Sequence, residues 1–358
     1  TFVGLGDLPY IDDETVSGAP QKAAYFTWLK NAGIRQLFDN VSYSYTWDDH
    51  DFGNDNSTSA NPAAAAQQEN YRNIFPSYPL ALSSGAIYYA FTLGRVRFIV
   101  PDLRSERGDL VSEQMISPTQ MTWFKQEMTD YKNNNDLKVL VICSSVQWTD
   151  NTRSESWSRA PAQRTEITDH AVSLNITKQM LVVASNLHAM GADTGANNVY
   201  GTGGTGGWPH YVASAISTAN TDETNTGEYD LGIFGTGNGG SLDMYGVLDF
   251  VDSGTQVNVV FTGYNAADDT VVLTHTLYVV ATSSSLSITA AGTPDGTYKT
   301  IITNPVNDSI VFAGDLVYTS GTASTGAVSV ATSTALTGYV IDNEATPVDG
   351  AVITGTTI

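Results

Sequence analysis

The chain has 358 residues, 41% hydrophobic and only 15% charged, a balance that excludes a disordered protein and leaves room for a large core and two domains. Its 37 acidic residues against 16 basic ones give a formal charge of −21 at pH 7, a surface that repels nucleic acid and anionic membranes and suits a protein that holds cations. No apolar run approaches the roughly 18–20 residues of a membrane span, and the single cysteine, Cys143, excludes an internal disulfide.

The chain opens on an apolar run, Thr1 to Leu5, that stops at Gly6-Asp7 and reads as a strand entering a loop. It carries no initiator Met and no signal peptide, so the expectation is a fragment with residues missing upstream. "QKAAYFTWLKNAG" has helical spacing and a glycine stop. The loop that follows contains "TWDDHDFGNDN", with four acidic side chains, one imidazole and two asparagines. Asp, Asn and Gly are ordinary loop vocabulary, but carboxylate, amide and imidazole are also ligands for hard and borderline cations.

"AIYYAFTLGRVRFIVPDLR" predicts a hairpin turning at Gly94. "SPTQMTWFKQEMTDYKNN" predicts a helix started by Ser-Pro, with Met121, Phe124 and Met128 on one face. "LKVLVICSS" is a buried strand in which Cys143 is a core residue, "APAQRTEITDHAVSLNI" a helix, and "QMLVVASNLHAMG" a strand running into a loop. Apolar strands with polar C-terminal ends, separated by helices, are the grammar of an α/β (α+β) protein with its site at the strand ends.

After about residue 190 the grammar changes. "GANNVYGTGGTGGWPH" reads as a Gly-rich linker and not a phosphate cradle, because no GK[ST] follows. "YGVLDFVDSGTQVNVVFTGYNAADDTVVLTHTLYVV" predicts three successive strands, and residues 287–358, rich in Thr, Ser, Gly and Val, a separate all-β module that stops short. The expected domains are therefore 1–286 and 287–358.

Four stretches stand at the ends of apolar strands: "GLGDLPY", "YTWDDHDFGN", "FIVPDLRSER" and "VVASNLHAM". Together they supply Asp7, Tyr10, Asp48, Asp49, His50, Arg104, Arg107, Asn186 and His188, enough to hold two cations and bind phosphate through a forked guanidinium. Asp12, Asp13 and Glu14 read as a solvated loop, with outer contact to a metal as the alternative. His170 reads as surface and His275 as a structural strand residue. His210, in the Gly-rich stretch, either leans over the site or plays no part in it.

In this order and at these spacings the stretches resemble the PhoD-type alkaline phosphatases among the metallophosphoesterases, and through Gly6, Asp7 and Tyr10 the purple acid phosphatases. Trp47 to Asp51 match a Trp-Asp-Asp-His-acid motif, followed by Asn54. Asp102, Arg104 and Arg107 match a second motif, Gln120 and Trp123 a third, and Trp157 and Arg164 a fourth, over roughly residues 1–285. The resemblance implies a layered metallophosphoesterase β-sandwich flanked by helices, and hydrolysis of phosphate mono- or diesters by a hydroxide activated by two metal ions, Fe3+ with Ca2+ or another divalent cation. It implies Asp7 bridging the ions, Tyr10 binding one as phenolate, Asp49 binding the other, and Asn186 and His188 completing the ligands. His50 would stand beside the leaving group, and Arg104 or Asn54 would contact the phosphate.

The chain departs from the family at Ser185-Asn186-Leu187-His188, where the usual pattern is Gly-Asp-x-His; a neutral amide stands in place of a charged ligand. A further family ligand lies on a strand upstream of Gly-Asp, beyond the start of this sequence. "GYVIDNEATPVDGAVITG" in the tail is similar to carboxypeptidase-regulatory-like β modules. Two functions follow as expectations: an extracellular phosphoesterase acting on a phosphate-ester small molecule, or a structural or surface-assembly protein that uses a degenerate phosphatase fold as scaffold. The tail would in either case offer strand edges for a homo-oligomer or polymer.

Overall fold

The computed structural model describes residues 1–75, 78–109, 113–149, 155–213, 227–234, 243–253 and 256–279, with backbone alone from 278 and, beyond 279, only strands between 284 and 354. The chain divides into two compact units, Thr1–Phe250 with Val259–Leu277, and Val251–Asn258 with Tyr278–Ile358.

In the first unit, β1 (Phe2–Leu5) pairs in parallel with β2 (Tyr43–Thr46), separated by helices α1 (Ala19–Leu29) and α2 (Ala32–Asn40). Asn31 starts α2 by accepting the Gly33 and Ile34 N–H groups, the capping expected of an asparagine before a helix. α3 (Asp49–Phe52) follows β2 after two residues, and α4 (Ala64–Ile74) closes the lobe. An aromatic cluster of Tyr25, Tyr45, Trp47, Phe52, Tyr71 and Phe75 fills it. Trp47 and Phe52 are anchored in that cluster on either side of Asp48–Asp51, so apolar burial holds the acidic segment in place.

The main sheet has seven strands in the order β3-β4-β5-β6-β8-β7-β9, namely β3 (Tyr89–Leu93), β4 (Val96–Val100), β5 (Val139–Ser144), β6 (Met180–Ala184), β7 (Met190–Asp193), β8 (His210–Val212) and β9 (Gly232–Phe234). Its centre, β4-β5-β6-β8, is parallel and its margins antiparallel. β5 is buried along its whole length, as a central parallel strand must be. Burial pushes the Cys143 thiol up to about 12, which suits a core residue and not a nucleophile.

Helix α5 (Pro118–Asn133) begins where the Ser117 hydroxyl accepts the Gln120 N–H, and it buries Met121, Phe124, Met128 and Tyr131. With α6 (Pro161–Ser173) it covers a core built on Leu140, Ile142, Trp148, Trp157, Ile167 and Trp208. A further three-stranded sheet, β10 (Met244–Asp252), β11 (Val257–Asn265) and β12 (Val271–Val279), meets the main sheet through the Tyr211–Phe261 and Phe98–Phe250 ring contacts. This is a mixed α/β fold: a large mixed sheet flanked by helices, with separate smaller sheets.

Two expectations change. The Gly-rich stretch is a pinned loop, not a linker: Asn198 donates to Asp193 and to the Trp208 carbonyl at 3.0 and 2.6 Å, and Gly201 pairs with Thr205. His210 is a core residue of β8 that accepts the Trp148 N–H, and burial pushes its imidazole down to about 3. His275 is structural as expected, bonded to the Tyr211 hydroxyl at 2.6 Å.

In the second unit the described strands are β13 (Ser284–Ala290), β14 (Gly296–Asn304), β15 (Ser309–Tyr318), β16 (Thr322–Val328), β17 (Thr337–Ile341) and β18 (Ala351–Thr354). They form two antiparallel sheets, β16-β13-β18 and β15-β14-β17. The turn residues 342–350 of the carboxypeptidase-regulatory-like stretch lie outside the described residues.

Candidate metal centre

The C-terminal ends of β1, β2, β4, β5 and β6 deliver, in turn, Asp7, the Asp48–Asp51 segment, Arg104, Ser145 and Asn186 with His188. The ends of β1 and β6 are tied directly, because the Ser185 hydroxyl reaches the carbonyls of Leu5 and Ser145 at 2.6 and 2.8 Å. Three of the sequence candidates sit in left-handed backbone: Asp7 at φ 56°, Asn186 at 64° and His188 at 56°. Such conformations cost of order 1–3 kcal/mol at a non-glycine residue and gather where side-chain aim matters more than local comfort.

Asp51 organises the turn. Its Oδ1 accepts the Asp48 N–H at 2.7 Å and its Oδ2 the Asp7 N–H at 3.1 Å, while the Tyr45 hydroxyl donates to Oδ2. Asp51 is thus the N3 member of the capping box that starts α3 at Asp48, and the strut between the loops after β1 and β2. Asp7 in turn accepts the His50 N–H through Oδ1 at 3.2 Å.

Arg104 is fully buried, with Nε on Asp48 Oδ1 at 2.5 Å and Nη2 3.1 Å from Asp49 Oδ1; Ser145 donates to the same Asp48 oxygen at 2.8 Å. Burial alone would raise the Asp49 carboxyl, but the Arg104 charge and the Asn56 N–H at 2.7 Å outweigh it and hold Asp49 below the usual carboxylate range. Asp48 is pushed up to about 6, chiefly by burial and then by Asp49 against the pull of Arg104. Asp7 and Asp51 lie well above their ordinary value, mainly through burial.

On the outer side, the Tyr10 hydroxyl lies 2.9 Å from His188 Nε2 and its ring stacks on His50 with centroids 4.1 Å apart. His50 Nδ1 meets Asp12 Oδ1 at 2.5 Å, and Nε2 stands 3.8 Å from Asp55. Asp12 therefore stands beside the site, on the side of the alternative to a purely solvated loop. Asp7, Tyr10, Asn186 and His188 line one end of a largely apolar cavity of about 890 Å³ that runs along β1.

The donor set fits a cation. Ligand atoms of Asp7, Asp49 and His50 lie within 4.8 Å of one another. Asp48 Oδ2 is buried with no hydrogen-bond partner among the described residues, which a protein rarely tolerates without an ion or water to satisfy it, while Asp49 Oδ1 is met by the Arg104 ion pair. Here His50, expected beside a leaving group, stands among the possible ligands.

Two candidates are placed otherwise than expected. Asn54 is exposed, and its backbone N–H reaches Glu14 at 3.5 Å, so no described hydrogen bond links it to the cluster. Arg104 faces the cluster, but its forks are spent on Asp48 and Asp49; only Nη1 lacks a described partner. The second motif's Asp102 is a scaffold, taking the Trp47 indole N–H at 2.9 Å and the Ile87 N–H at 2.8 Å, with Gln120 clasping its backbone. Arg164 likewise braces the Trp148 carbonyl at 2.9 Å and lies over the Tyr200 ring. Glu155 enters the site unforeseen: its Oε2 accepts the Asn186 Nδ2 at 2.8 Å, although "NTRSESW" offers only a polar run with no periodicity to single it out.

No protein-family model matches the chain, and comparison with curated protein sequences finds no match. Solved structures do. PhoD aligns with a TM-score of 0.52 at 15% identity over 76% of this chain and 64% of its own. The purple acid phosphatase PPD1 from seeds of yellow lupin (Lupinus luteus) aligns with a TM-score of 0.51 at 13% identity over 77% of this chain and 45% of its own. The fold is like that of PhoD and of this purple acid phosphatase. The chain spans less than two thirds of either neighbour.

Proposed function

We propose that the protein is a metal-dependent phosphoesterase. The observation that carries this reading is the set of buried Asp49 with half-buried Asp7 and His50, whose ligand atoms approach within 4.8 Å at the strand ends of a phosphatase-like fold. Asp7, Tyr10, Asp49, Asn186 and His188 would hold two cations, Fe3+ with Ca2+ or another divalent ion, with His50 as a ligand or as a proton carrier. Such cations supply Lewis acidity toward a phosphoryl oxygen.

The chain's own groups complete the work. Arg104 keeps Asp49 ionised for a cation and carries positive charge beside the carboxylates. Asp12 fixes the His50 ring through Nδ1, leaving Nε2 as the position where a proton is held or passed on. The buried floor of Trp47 and Phe52 excludes water beneath the acidic turn.

The test is hydrolysis of p-nitrophenyl phosphate and bis-p-nitrophenyl phosphate alongside elemental analysis. Activity should vanish on chelation, return with added Fe3+ and Ca2+, and be lost in Asp7→Asn and Asp49→Asn. Stoichiometric metal uptake with no turnover of either ester would instead support a scaffold that has kept the fold and a metal site without the activity.

A further inference from the structure

The neutral residue at position 186 is the point where this chain departs from a charged ligand set, and a carboxylate sits directly behind it. The Asn186 Nδ2 donates to Glu155 Oε2 at 2.8 Å. Turned the other way, the amide would set its own oxygen against a carboxylate oxygen, so the bond fixes which end is which. Nδ2 lies on the Glu155 side and Oδ1 on the opposite side. Both partners are held. Asn186 is in left-handed backbone at φ 64°, next to Ser185, which bonds Leu5 and Ser145 and whose carbonyl takes the Gln147 amide at 2.9 Å. Glu155 is gripped through its carbonyl by buried Arg107 at 3.3 Å, and the next residue but one, Trp157, is buried with its N–H on Gln147 at 3.0 Å.

From this geometry we infer that Glu155 is a positioning residue of the metal centre: it orients the Asn186 amide so that Oδ1 serves as a cation ligand in the cavity that Asn186 shares with Asp7, Tyr10 and His188. A carboxylate accepting from Nδ2 also draws negative charge onto Oδ1, which recovers part of the ligand strength a neutral amide gives up. The inference rests on the metal-centre reading above.

The experiment is titration of the chelator-stripped full chain with Co2+, followed by calorimetry and by the visible d–d absorption of the bound ion. Glu155→Ala should weaken Co2+ binding by about 10–100-fold and alter the absorption, as loss of an outer partner of a ligand does. Glu155→Gln, which still accepts through Oε1, should stay within about 3-fold of wild type. Adding Asn186→Asp to Glu155→Ala should restore binding, because a carboxylate presents an oxygen at either end. Should the alanine variant fail to fold, Glu155→Met keeps the length and removes the acceptor. Wild-type affinity in Glu155→Ala or Glu155→Met, or in Asn186→Ala, overturns the inference while the metal centre stands. If the wild-type chain takes up no Co2+ at all, the metal-centre reading falls first and takes this inference with it.

Discussion

The Tyr10 hydroxyl stands 2.9 Å from His188 Nε2, joining residues 178 positions apart across the mouth of the acidic cluster. Burial, with Asp7 and Asp49, pushes the Tyr10 phenol above its ordinary value, so without a cation it stays protonated within hydrogen-bond distance of the imidazole. A bound Fe3+ would displace that proton and take the phenolate. Loading the stripped protein with Fe3+ should therefore release protons and produce a phenolate-to-iron band in the visible spectrum. Tyr10→Phe should lack the band. A band of unchanged strength in that variant would remove Tyr10 from the ligand set.

Arg104 behaves first as a counter-ion. Its guanidinium is fully buried between Asp48 and Asp49, and deleting it leaves two carboxylates in the interior with no cation beside them. Arg104→Ala should destabilise the metal-free protein by about 3–5 kcal/mol, as breaking one side of a buried pair does. Added divalent cation should recover much of the loss by taking over the neutralising role. Chemical denaturation with and without Ca2+ checks this. Near-wild-type stability without metal would mean that the arginine is held for a ligand and not for these acids.

The same carboxylates set a pH dependence. The Asp48 carboxyl is raised from 3.8 to about 6 in the folded chain, so between those values the folded state binds more protons than the unfolded one. The stabilisation this gives is complete below 3.8 and lost as pH rises through about 6; it amounts to about 3 kcal/mol at most. Asp7 and Asp51 are raised too and act in the same sense. Asp49 is lowered, so its contribution disappears only as pH falls below 3.8 and does not oppose the trend above it. The melting temperature of the metal-free protein should fall from pH 5 to pH 8, and cation should flatten the curve. A metal-free curve that rises over this range contradicts the account.

Much of this was legible in the sequence. Ser117-Pro118 and the spacing of Met121, Phe124 and Met128 define α5, and the apolar run through Cys143 defines β5, because these signals are local. The strand-end position of Asp7, Asp49, Asn186 and His188 was legible for the same reason. What the residues do to one another was not. Arg104 and Asp48 are 56 positions apart, and a forked cation reads equally well as a phosphate ligand until the acids around it are placed. Asn54 satisfies a motif by spacing yet faces solvent, since the turn after α3 rotates it outward while Asn56 caps Asp49. His210 reads as a loop residue because Gly-rich flanks hide a three-residue strand. Asp12 and Glu155 lie in polar runs whose partners, His50 in α3 and Asn186 in the loop after β6, are distant in sequence.

Gly6 gives the sharpest test of how the acidic turn is built. Its φ of +98° lies where side chains are rarely found, and a Cβ there would stand 2.4 Å from the Asp48 nitrogen, 2.5 Å from the Asp48 Cβ and 2.9 Å from the Trp47 carbonyl carbon. Two of these are backbone atoms of the turn that Asp51 braces and Trp47 anchors in the aromatic cluster, so they cannot move alone. Gly94 offers the control: its φ is +55° and nothing lies within 4 Å of a Cβ, so an alanine there meets only the left-handed penalty of about 1–2 kcal/mol. Gly6→Ala carries its own backbone penalty plus the displacement of the segment bearing Asp48, Asp49 and His50. It should lose clearly more stability than Gly94→Ala, and it should lose cation uptake, which Gly94→Ala should keep. Equal melting temperatures and equal metal content in the two variants would show that the loops after β1 and β2 adjust independently, and the close approach of Gly6 to Asp48 would then have no part in shaping the site.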